Sequence, residues 1–187
     1  MKIFVMGAAL RKGSFNRKLA MNAAELLLAH EASDFVEFAD FRDFEMPVYD
    51  GDVEEATGMP KGALALTAKL AEADAIVLST PEYNGGIPGA LKNAIDWVSR
   101  ADENPFEGKP LLLIGTSPGA LGAVRCLWHT RVPLEALGTA VYPKMFGLPK
   151  AGEAFGPDDR LKDPKTTDRL RKLLQEFHGY ARRLSAD

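Results

Sequence analysis

Apolar and polar positions follow two patterns along the chain, and the two patterns predict different elements. Nearly continuous apolar runs of four to six residues are typical of strands buried in a sheet. They cover 2–6 (KIFVM), 35–39 (FVEFA), 75–80 (AIVLST), 111–116 (LLLIGT) and 139–142 (TAVY). Between these runs, apolar residues at helical spacing predict helices over 15–30, 61–72 and 89–100.

Two further helices follow the fourth and fifth strands. One starts near Gly122, and Pro133 should interrupt or kink it, because proline lacks a backbone N–H and clashes with the preceding turn. The other closes the chain. Its apolar residues fall on one helical face: Leu170, Leu173, Leu174, Phe177, Ala181 and Leu184.

The alternation of strands with helices predicts the fold class. Strands joined through helices form right-handed crossovers, so the sheet is parallel and covered on both faces. We therefore expect an α/β doubly wound sandwich, with residues 1–187 forming a single domain. Ligands of such sheets bind beyond the carboxyl ends of the strands, near the switch point in strand order. The loops after the first, third and fourth strands are the candidate site.

Composition and charge narrow the class of protein without naming an activity. Of the 187 residues, 46% are apolar and 26% charged, as in ordinary globular domains, and a net charge of −3 does not favour nucleic acid as a partner. Every charged residue in 1–24 is basic, which indicates a local anion site. One cysteine, no leader pattern and no apolar run of about 20 residues predict a cytoplasmic protein without a membrane segment.

The loop after the first strand, 7–20 (GAALRKGSFNRKLA), runs directly into a helix. Ser14 and Asn16 place short polar side chains where unpaired N–H groups and the helix dipole favour an anion. Arg11 adds a guanidinium that suits phosphate oxygens. The alternative is that Ser14 only caps the helix and the basic residues are solvated. Neither the P-loop pattern nor the dinucleotide glycine pattern is present, so the loop predicts a site for one mononucleotide phosphate.

The loop after the third strand, 81–86 (PEYNGG), ends at the same edge of the predicted sheet. Pro81 fixes the direction of the chain, and Gly85 and Gly86 permit close approaches that side chains would block. A flat heteroaromatic ring suits such a loop, with its polar edge on backbone amides and Tyr83 beside it. The alternative is an ordinary turn before an amphipathic helix whose apolar residues only fill the core.

Two long motifs, LRKGSFN (10–16) and PEYNGGIPGALKNAIDW (81–97), together resemble the flavodoxin-like NAD(P)H-dependent FMN reductases, the group that includes bacterial quinone and chromate reductases. The resemblance spans nearly the whole chain, including FEGKP (106–110) and RCLWH (125–129). It implies a five-stranded parallel sheet in the order 2-1-3-4-5. It also implies non-covalent FMN, NAD(P)H as co-substrate, and homodimers or homotetramers with the flavin near a subunit boundary.

The same resemblance implies which residues contact the cofactor. Four would surround the FMN phosphate: Arg11, Ser14, Phe15 and Asn16. Four would contact the isoalloxazine ring, mainly through main-chain groups: Pro81, Glu82, Tyr83 and Asn84. Ser117, after the fourth strand, would close the site. The chain departs from the family at Ala8 and Ala9, where Gly-Ser is common, so one hydroxyl contact to the phosphate is missing.

Other reactive patterns are less specific. GTSPG (115–119) has the form of a hydrolase nucleophile elbow, but Ser117 is followed by Pro118, which lacks the N–H that an oxyanion hole needs. Cys126 and His129 stand three residues apart, and the cysteine is either a thiol nucleophile or a packing residue. The histidines have no metal-ligand spacing, so no metal is expected. Arg125, Trp128 and Arg131 have three possible roles: a subunit contact, the rim of the substrate site, or a solvated helix face.

Together these features predict an FMN-dependent NAD(P)H:acceptor oxidoreductase without a catalytic side chain, because the cofactor carries the chemistry. No cradle for a second nucleotide's pyrophosphate is evident, so NAD(P)H and the acceptor should use one open pocket in turn, in ping-pong fashion. The family implies quinones, free flavins, azo compounds, ferric chelates or chromate as acceptors. One alternative is an electron-carrier flavodoxin, but the surface of such a carrier is normally strongly acidic, whereas the net charge here is only −3. The other is a hydrolase that uses Ser117.

Overall fold

The computed structural model describes residues 1–30 and 34–185. Within these residues, six strands form one sheet: β1 (Lys2–Gly7), β2 (Phe35–Asp40), β3 (Ala75–Ser79), β4 (Pro110–Thr116), β5 (Ala140–Val141) and β6 (Phe146–Leu148). The α-helices are α1 (Phe15–His30), α2 (Gly51–Thr57), α3 (Lys61–Glu72), α4 (Gly89–Val98), α5 (Val124–Ala136), α6 (Ala151–Ala154) and α7 (Pro164–Leu184). A 3₁₀ turn, Phe41–Asp43, follows β2.

The sheet is parallel throughout, in the order β2-β1-β3-β4-β5. This confirms the predicted doubly wound sandwich and its strand order. β1 pairs with β2 on one side and with β3 on the other, so the chain reverses its direction of travel across the sheet at β1. That reversal places the switch point at the carboxyl ends of β1 and β3, where the two predicted loops begin.

A sixth strand, β6, was not predicted. It pairs with 114–116 of β4, whereas β5 pairs with 110–111, so two short strands share one edge of β4. Phe146 and Leu148 are buried, but a three-residue strand is too short to stand out as an apolar run.

The strands direct their side chains alternately into two apolar layers, as doubly covered parallel strands do. In β1, Ile3 and Val5 join the layer that contains residues of α1 and α7. Phe4 and Met6 join the layer that contains residues of α3, α4 and α5. Residues 111–114 of β4 alternate in the same way. Both faces of the sheet are therefore covered, which leaves the ends of the strands for a ligand.

The helix predictions hold except near their ends and at one proline. The helices predicted over 15–30 and 61–72 have the observed bounds, and the one predicted over 89–100 ends at Val98. The expected interruption at Pro133 does not occur, because α5 continues through it to Ala136. The proline lies in the last turn of α5, so only three further residues continue the helix after it. The short helix α2 was missed because it buries no residue and so has no apolar face to detect.

Candidate functional site

The loop between β1 and α1 is packed closely against the end of the sheet. Gly7, the last residue of β1, has no room for a side chain, because a Cβ there would lie 2.7 Å from the Cα of Arg17. The loop then turns at Gly13, whose φ of 69° favours glycine. These two glycines bring the first turn of α1 directly onto the carboxyl end of β1.

Ser14 caps α1, as the simpler of the two sequence interpretations expected. Its carbonyl accepts the N–H of Lys18 (3.1 Å), and its Oγ accepts the N–H of Asn16 (3.2 Å). The N–H of Phe15 has no hydrogen-bond partner among the described residues, so it remains a donor at the positive end of the helix. Capping the helix and binding an anion are therefore compatible at this position.

Asn16 ties three parts of the site together. Its Oδ1 accepts the N–H of Thr116 (2.9 Å) and the hydroxyl of Ser79 (3.0 Å), and its Nδ2 donates to the carbonyl of Thr116 (2.9 Å). The residue is almost completely buried. The start of α1 is thereby fastened to the ends of β3 and β4, a role that no local pattern indicated because Thr116 lies 100 residues along the chain.

The basic residues of this loop differ in their partners. Arg17 is paired with Asp40 (3.0 Å), and Lys18 also has a carboxylate partner. Arg11 forms no ion pair within 1–30 and 34–185, and its guanidinium lies 5.4 Å from the centre of the Phe15 ring. An arginine without a counter-ion beside a helix amino terminus suits an anionic ligand.

The loop after β3 forms a tight two-residue turn. Tyr83 and Gly86 exchange two backbone hydrogen bonds (3.2 and 3.0 Å), and Asn84 and Gly85 both have positive φ (52° and 78°). This is the type I′ geometry that an Asn-Gly pair favours. Tyr83 itself is about half exposed to solvent. The sequence predicted the glycine-rich turn but not its type or its hydrogen bonds.

Glu82 anchors this turn to α5. Its carboxylate accepts hydrogen bonds from Nε and Nη2 of Arg125 (2.8 Å for Nε) and from the backbone N–H of Cys126 (3.3 Å). The side chain is only 6% exposed, and hydrogen bonding by Arg125 holds the pKa of the carboxyl below its usual value. Glu82 is thus held mainly by α5, and Arg125 becomes a member of the site that the sequence left undecided.

Ser117 holds the loop that follows β4. Its N–H donates to the carbonyl of Leu148 (3.3 Å), and its Oγ accepts the N–H of Ala123 (3.1 Å). No histidine or carboxylate within 1–30 and 34–185 is hydrogen-bonded to this hydroxyl, and Pro118 follows it. The arrangement supports a ligand-facing turn and does not resemble a nucleophile elbow.

Two adjoining cavities bring the predicted residues together. Eight of the nine, all except Asn84, line a cavity of about 180 Å³ together with Thr116 and Pro118. Asn84 lines a neighbouring cavity of about 580 Å³, which Arg125 also borders, and the two cavities share Glu82, Ser117 and Pro118. A third cavity of about 590 Å³ lies between α5 and α7 and includes none of the nine.

Cys126 is a packing residue. It is fully buried, its Sγ lies 3.7 Å from the Oγ1 atoms of Thr80 and Thr130, and burial raises the pKa of the thiol. A raised thiol pKa opposes thiolate formation, so the nucleophile alternative loses its chemical basis.

The arrangement fits a flavin mononucleotide. The narrow cavity offers Arg11, Ser14 and the start of α1 to one phosphate, and the wider one lies beside backbone amides of the 81–86 turn. No glycine cradle for a pyrophosphate adjoins them. Fold and site together define the class of flavodoxin-like, mononucleotide-binding α/β proteins.

Comparisons with known proteins identify the family. The chain matches the family model for NADPH-dependent FMN reductases over residues 1–153. Quinone reductase of Escherichia coli (strain K12) is 35% identical over 187 residues, covering 98% of this chain and 97% of that protein. An NAD(P)H-dependent FMN reductase of Pseudomonas aeruginosa is 35% identical over 184 residues, covering 98% and 96%. FerB, a flavoenzyme NAD(P)H:(acceptor) oxidoreductase from Paracoccus denitrificans, superposes with a TM-score of 0.81 at 32% identity, covering 97% of each chain.

The chain therefore belongs to the NADPH-dependent FMN reductase family. Membership confirms the predicted family, the flavodoxin-like fold and the enzyme class, with FMN as cofactor and NAD(P)H as co-substrate. An archaeal flavodoxin also superposes, at 12% identity and a TM-score of 0.62, which is a likeness of fold alone. Across residues 1–30 and 34–185, no helix combines the length and the apolar character that crossing a membrane requires.

Proposed function

We propose that this protein is an FMN-dependent NAD(P)H:quinone oxidoreductase, and that its nine predicted residues hold the cofactor across the two adjoining cavities. The observation that supports this most directly is convergence. Residues from three loops that are distant in sequence, after β1, β3 and β4, line the same pair of cavities at the carboxyl edge of the sheet. That edge is where doubly wound sheets bind ligands.

The narrower cavity is the proposed phosphate site. Arg11 supplies a charge without a counter-ion among the described residues, Ser14 supplies a buried hydroxyl, and the N–H of Phe15 points from the first turn of α1. Charge-assisted hydrogen bonds of this kind are about twice as strong as neutral ones. Asn16 supports them indirectly by holding the loop against β3 and β4.

The turn at 81–86 is the proposed site of the ring. When bound there, FMN would supply the hydride chemistry between NAD(P)H and the acceptor. The protein supplies placement: the type I′ turn holds its backbone groups in one geometry, with Tyr83 on the narrower cavity and Asn84 and Gly85 on the wider one. We assign no catalytic acid, base or nucleophile, since neither Cys126 nor Ser117 has an activating partner in the part of the chain that the structure describes.

A shared open pocket favours ping-pong turnover. The wider cavity is bordered by Asn84, Leu121 and Arg125 and has no glycine-rich cradle for a second nucleotide. NAD(P)H and the oxidant would then occupy the same space in turn. Quinones are the acceptors we favour, because the Escherichia coli relative is named a quinone reductase. Free flavins, azo compounds, ferric chelates and chromate remain candidates from the family resemblance.

We also propose that the protein is a cytoplasmic homodimer or homotetramer that binds neither nucleic acid nor membrane. Leu121, Trp128 and Val132, in and just before α5, are each more than half exposed, and a cluster of large apolar side chains is typical of a contact surface. Light scattering after gel filtration should give two or four times the 20.3 kDa chain mass. A monomer at micromolar concentration would contradict this part of the proposal.

The decisive test is spectroscopic and kinetic. The purified protein should be yellow, release FMN on denaturation, and oxidise NAD(P)H with benzoquinone in parallel-line steady-state kinetics. A colourless protein that takes up no FMN would overturn the proposal. A protein that retains FMN but never consumes NAD(P)H would instead be a carrier flavodoxin. Ester hydrolysis abolished by Ser117→Ala would point to the hydrolase alternative.

A further inference from the structure

We propose that Arg125 is a positioning residue for flavin binding. Through Glu82 it holds the Asn84–Gly85 turn in the conformation that receives the ring, and it acts on the cofactor through that turn. The inference rests on the proposed FMN site and deepens it, because it assigns a role to the RCLWH segment (125–129) that opens α5. Three sets of contacts support it.

The first contact is the two-pronged hydrogen bond between Arg125 and Glu82. Nε and Nη2 of the guanidinium both donate to Oε1. The Glu82 side chain is 6% exposed, whereas the Arg125 side chain is 57% exposed. A buried carboxylate that loses its hydrogen-bonding partner costs more free energy than an exposed one. Removal of Arg125 should therefore disturb Glu82 more than the loss of an ordinary surface ion pair would.

The second contact is with the turn itself. A Cβ added at Gly85 would lie 3.7 Å from the central guanidinium carbon of Arg125, so the guanidinium lies beside the second central residue of the turn. The same arginine therefore hydrogen-bonds to the residue before the turn and lies next to Gly85. Its planar shape suits this position better than the flexible ammonium of a lysine.

The third set of contacts comes from the residues that follow Arg125 in α5. The N–H of Cys126 donates to the other oxygen of Glu82 (3.3 Å), and the Cys126 Sγ lies 3.7 Å from Thr80, just before Pro81. A Cβ at Gly86 would lie 3.8 Å from Nδ1 of His129. The segment 125–129 thus contacts the 80–86 loop along its length, and Arg125 supplies the charged end of that contact.

A matched pair elsewhere separates this role from general stabilisation. Arg100 also hydrogen-bonds to a glutamate: its Nε lies 3.0 Å from each carboxylate oxygen of Glu54. This pair joins the residues after α4 to α2, and neither residue lines either of the two cavities. Glu54 is 22% exposed. If Arg125 only stabilised the fold, its removal would resemble the removal of Arg100.

The test measures FMN binding by apo-protein prepared from the holoenzyme, by quenching of flavin fluorescence. Arg125→Ala should raise the FMN dissociation constant about tenfold, whereas Arg100→Ala should leave it within about twofold. Arg125→Ala should also lower the melting temperature of the apo-protein more than Arg100→Ala does, because it leaves a buried carboxylate without its partner, so FMN binding is measured well below both melting temperatures. Arg125→Lys keeps the charge without the planar fork and should give an intermediate constant, which also keeps the test valid if the alanine variant folds poorly.

A double-mutant cycle with Glu82→Gln separates positioning from direct contact. If Arg125 acts through Glu82, the FMN dissociation constant of the double variant should equal that of whichever single variant binds FMN less tightly. Losses of binding free energy that add in the double variant would overturn the positioning role. Wild-type FMN affinity in Arg125→Ala would overturn it as well. Failure of the wild-type protein itself to bind FMN is a different result, because it would remove the proposed function and this inference with it.

Discussion

The two ends of the same parallel sheet use their polar groups differently. At the amino end, where the strands begin, charged groups are paired within the chain. The N–H of Lys2 donates to Asp74 (2.6 Å), and its ammonium pairs with Glu72 (2.5 Å). His178 Nε2 lies 2.6 Å from a carboxylate oxygen of Asp34, with both side chains almost fully buried. These charged groups at the amino end therefore have partners within the protein.

At the carboxyl end, polar groups remain available. Arg11 has no ion pair among the described residues, the N–H of Phe15 has no partner there, and Asn84 and Gly85 hold positive φ values. Left-handed backbone at a non-glycine residue costs free energy, and the surrounding contacts must sustain it. The contrast teaches that one end of the sheet contributes stability, whereas the other keeps donors and shaped backbone for a ligand.

The largest effect should come from removing the side chain that joins the three loops. Asn16→Ala leaves the buried N–H and carbonyl of Thr116 without partners, so we expect a loss of roughly 3 kcal/mol of unfolding free energy and loss of FMN binding. Urea denaturation and FMN titration measure the two effects. Asn22→Ala is the matched control, because Asn22 joins α1 to residues 159 and 161 outside the site. Equal FMN loss in both variants would contradict the comparison.

The next effect concerns the phosphate site. Ser14→Ala removes the capping hydroxyl and should weaken FMN binding by about 1 to 3 kcal/mol, the scale of a hydrogen bond to a charged group. Calorimetric titration of the apo-protein measures it. Asp163→Ala removes the cap of α7, whose Oδ atoms accept the N–H groups of Lys165 and Thr166, and should lower the melting temperature without changing FMN affinity. Unchanged FMN affinity in Ser14→Ala would remove Ser14 from the site.

A smaller effect should distinguish two glycines with positive φ. Gly85→Ala and Gly108→Ala each place a Cβ at positive φ (78° and 67°), which costs about 1 to 2 kcal/mol per residue. Gly108 lies just before β4 with open space around it, whereas Gly85 lies beside Arg125 in the 81–86 turn. Both variants should lose stability in urea, but only Gly85→Ala should weaken FMN binding. FMN loss in Gly108→Ala would contradict the distinction between the candidate site and the rest of the fold.

The smallest effect is a pH dependence at Glu82. Hydrogen bonding by Arg125 lowers the pKa of Glu82 below its ordinary value of 4.5, so the stabilisation is fully present above pH 4.5 and is lost as the pH falls through the lower folded-state pKa. Glu82→Gln cannot titrate there. The difference in unfolding free energy between wild type and Glu82→Gln should therefore shrink as the pH falls below about 4.5. A constant difference between pH 7 and pH 3 would show that the Arg125 pairing contributes no stability.

Much of the site was predictable because its parts are local in sequence. The glycines and polar residues at 7–16 and 81–86 follow strand-like runs, and the topology of a doubly wound sheet brings such loops together. The contacts that hold the loops in place were not predictable. Nothing near Glu82 in the sequence indicates that its carboxylate meets Arg125, 43 residues away. Nor does any local signal distinguish Arg11, which has no carboxylate partner among the described residues, from Arg17, which is paired with Asp40.

The alternation of elements, the doubly wound fold and the two loops of the candidate site could all be predicted from the chain, because periodicity and turn chemistry act between near neighbours. Which polar groups satisfy one another, and which remain for a ligand, depends on the folded structure. It joined Asn16 to Thr116 and Ser79, turned Glu82 toward α5, and added β6 to the edge of β4. Such pairings depend on distances between residues far apart in sequence, which exist only once the sheet has formed.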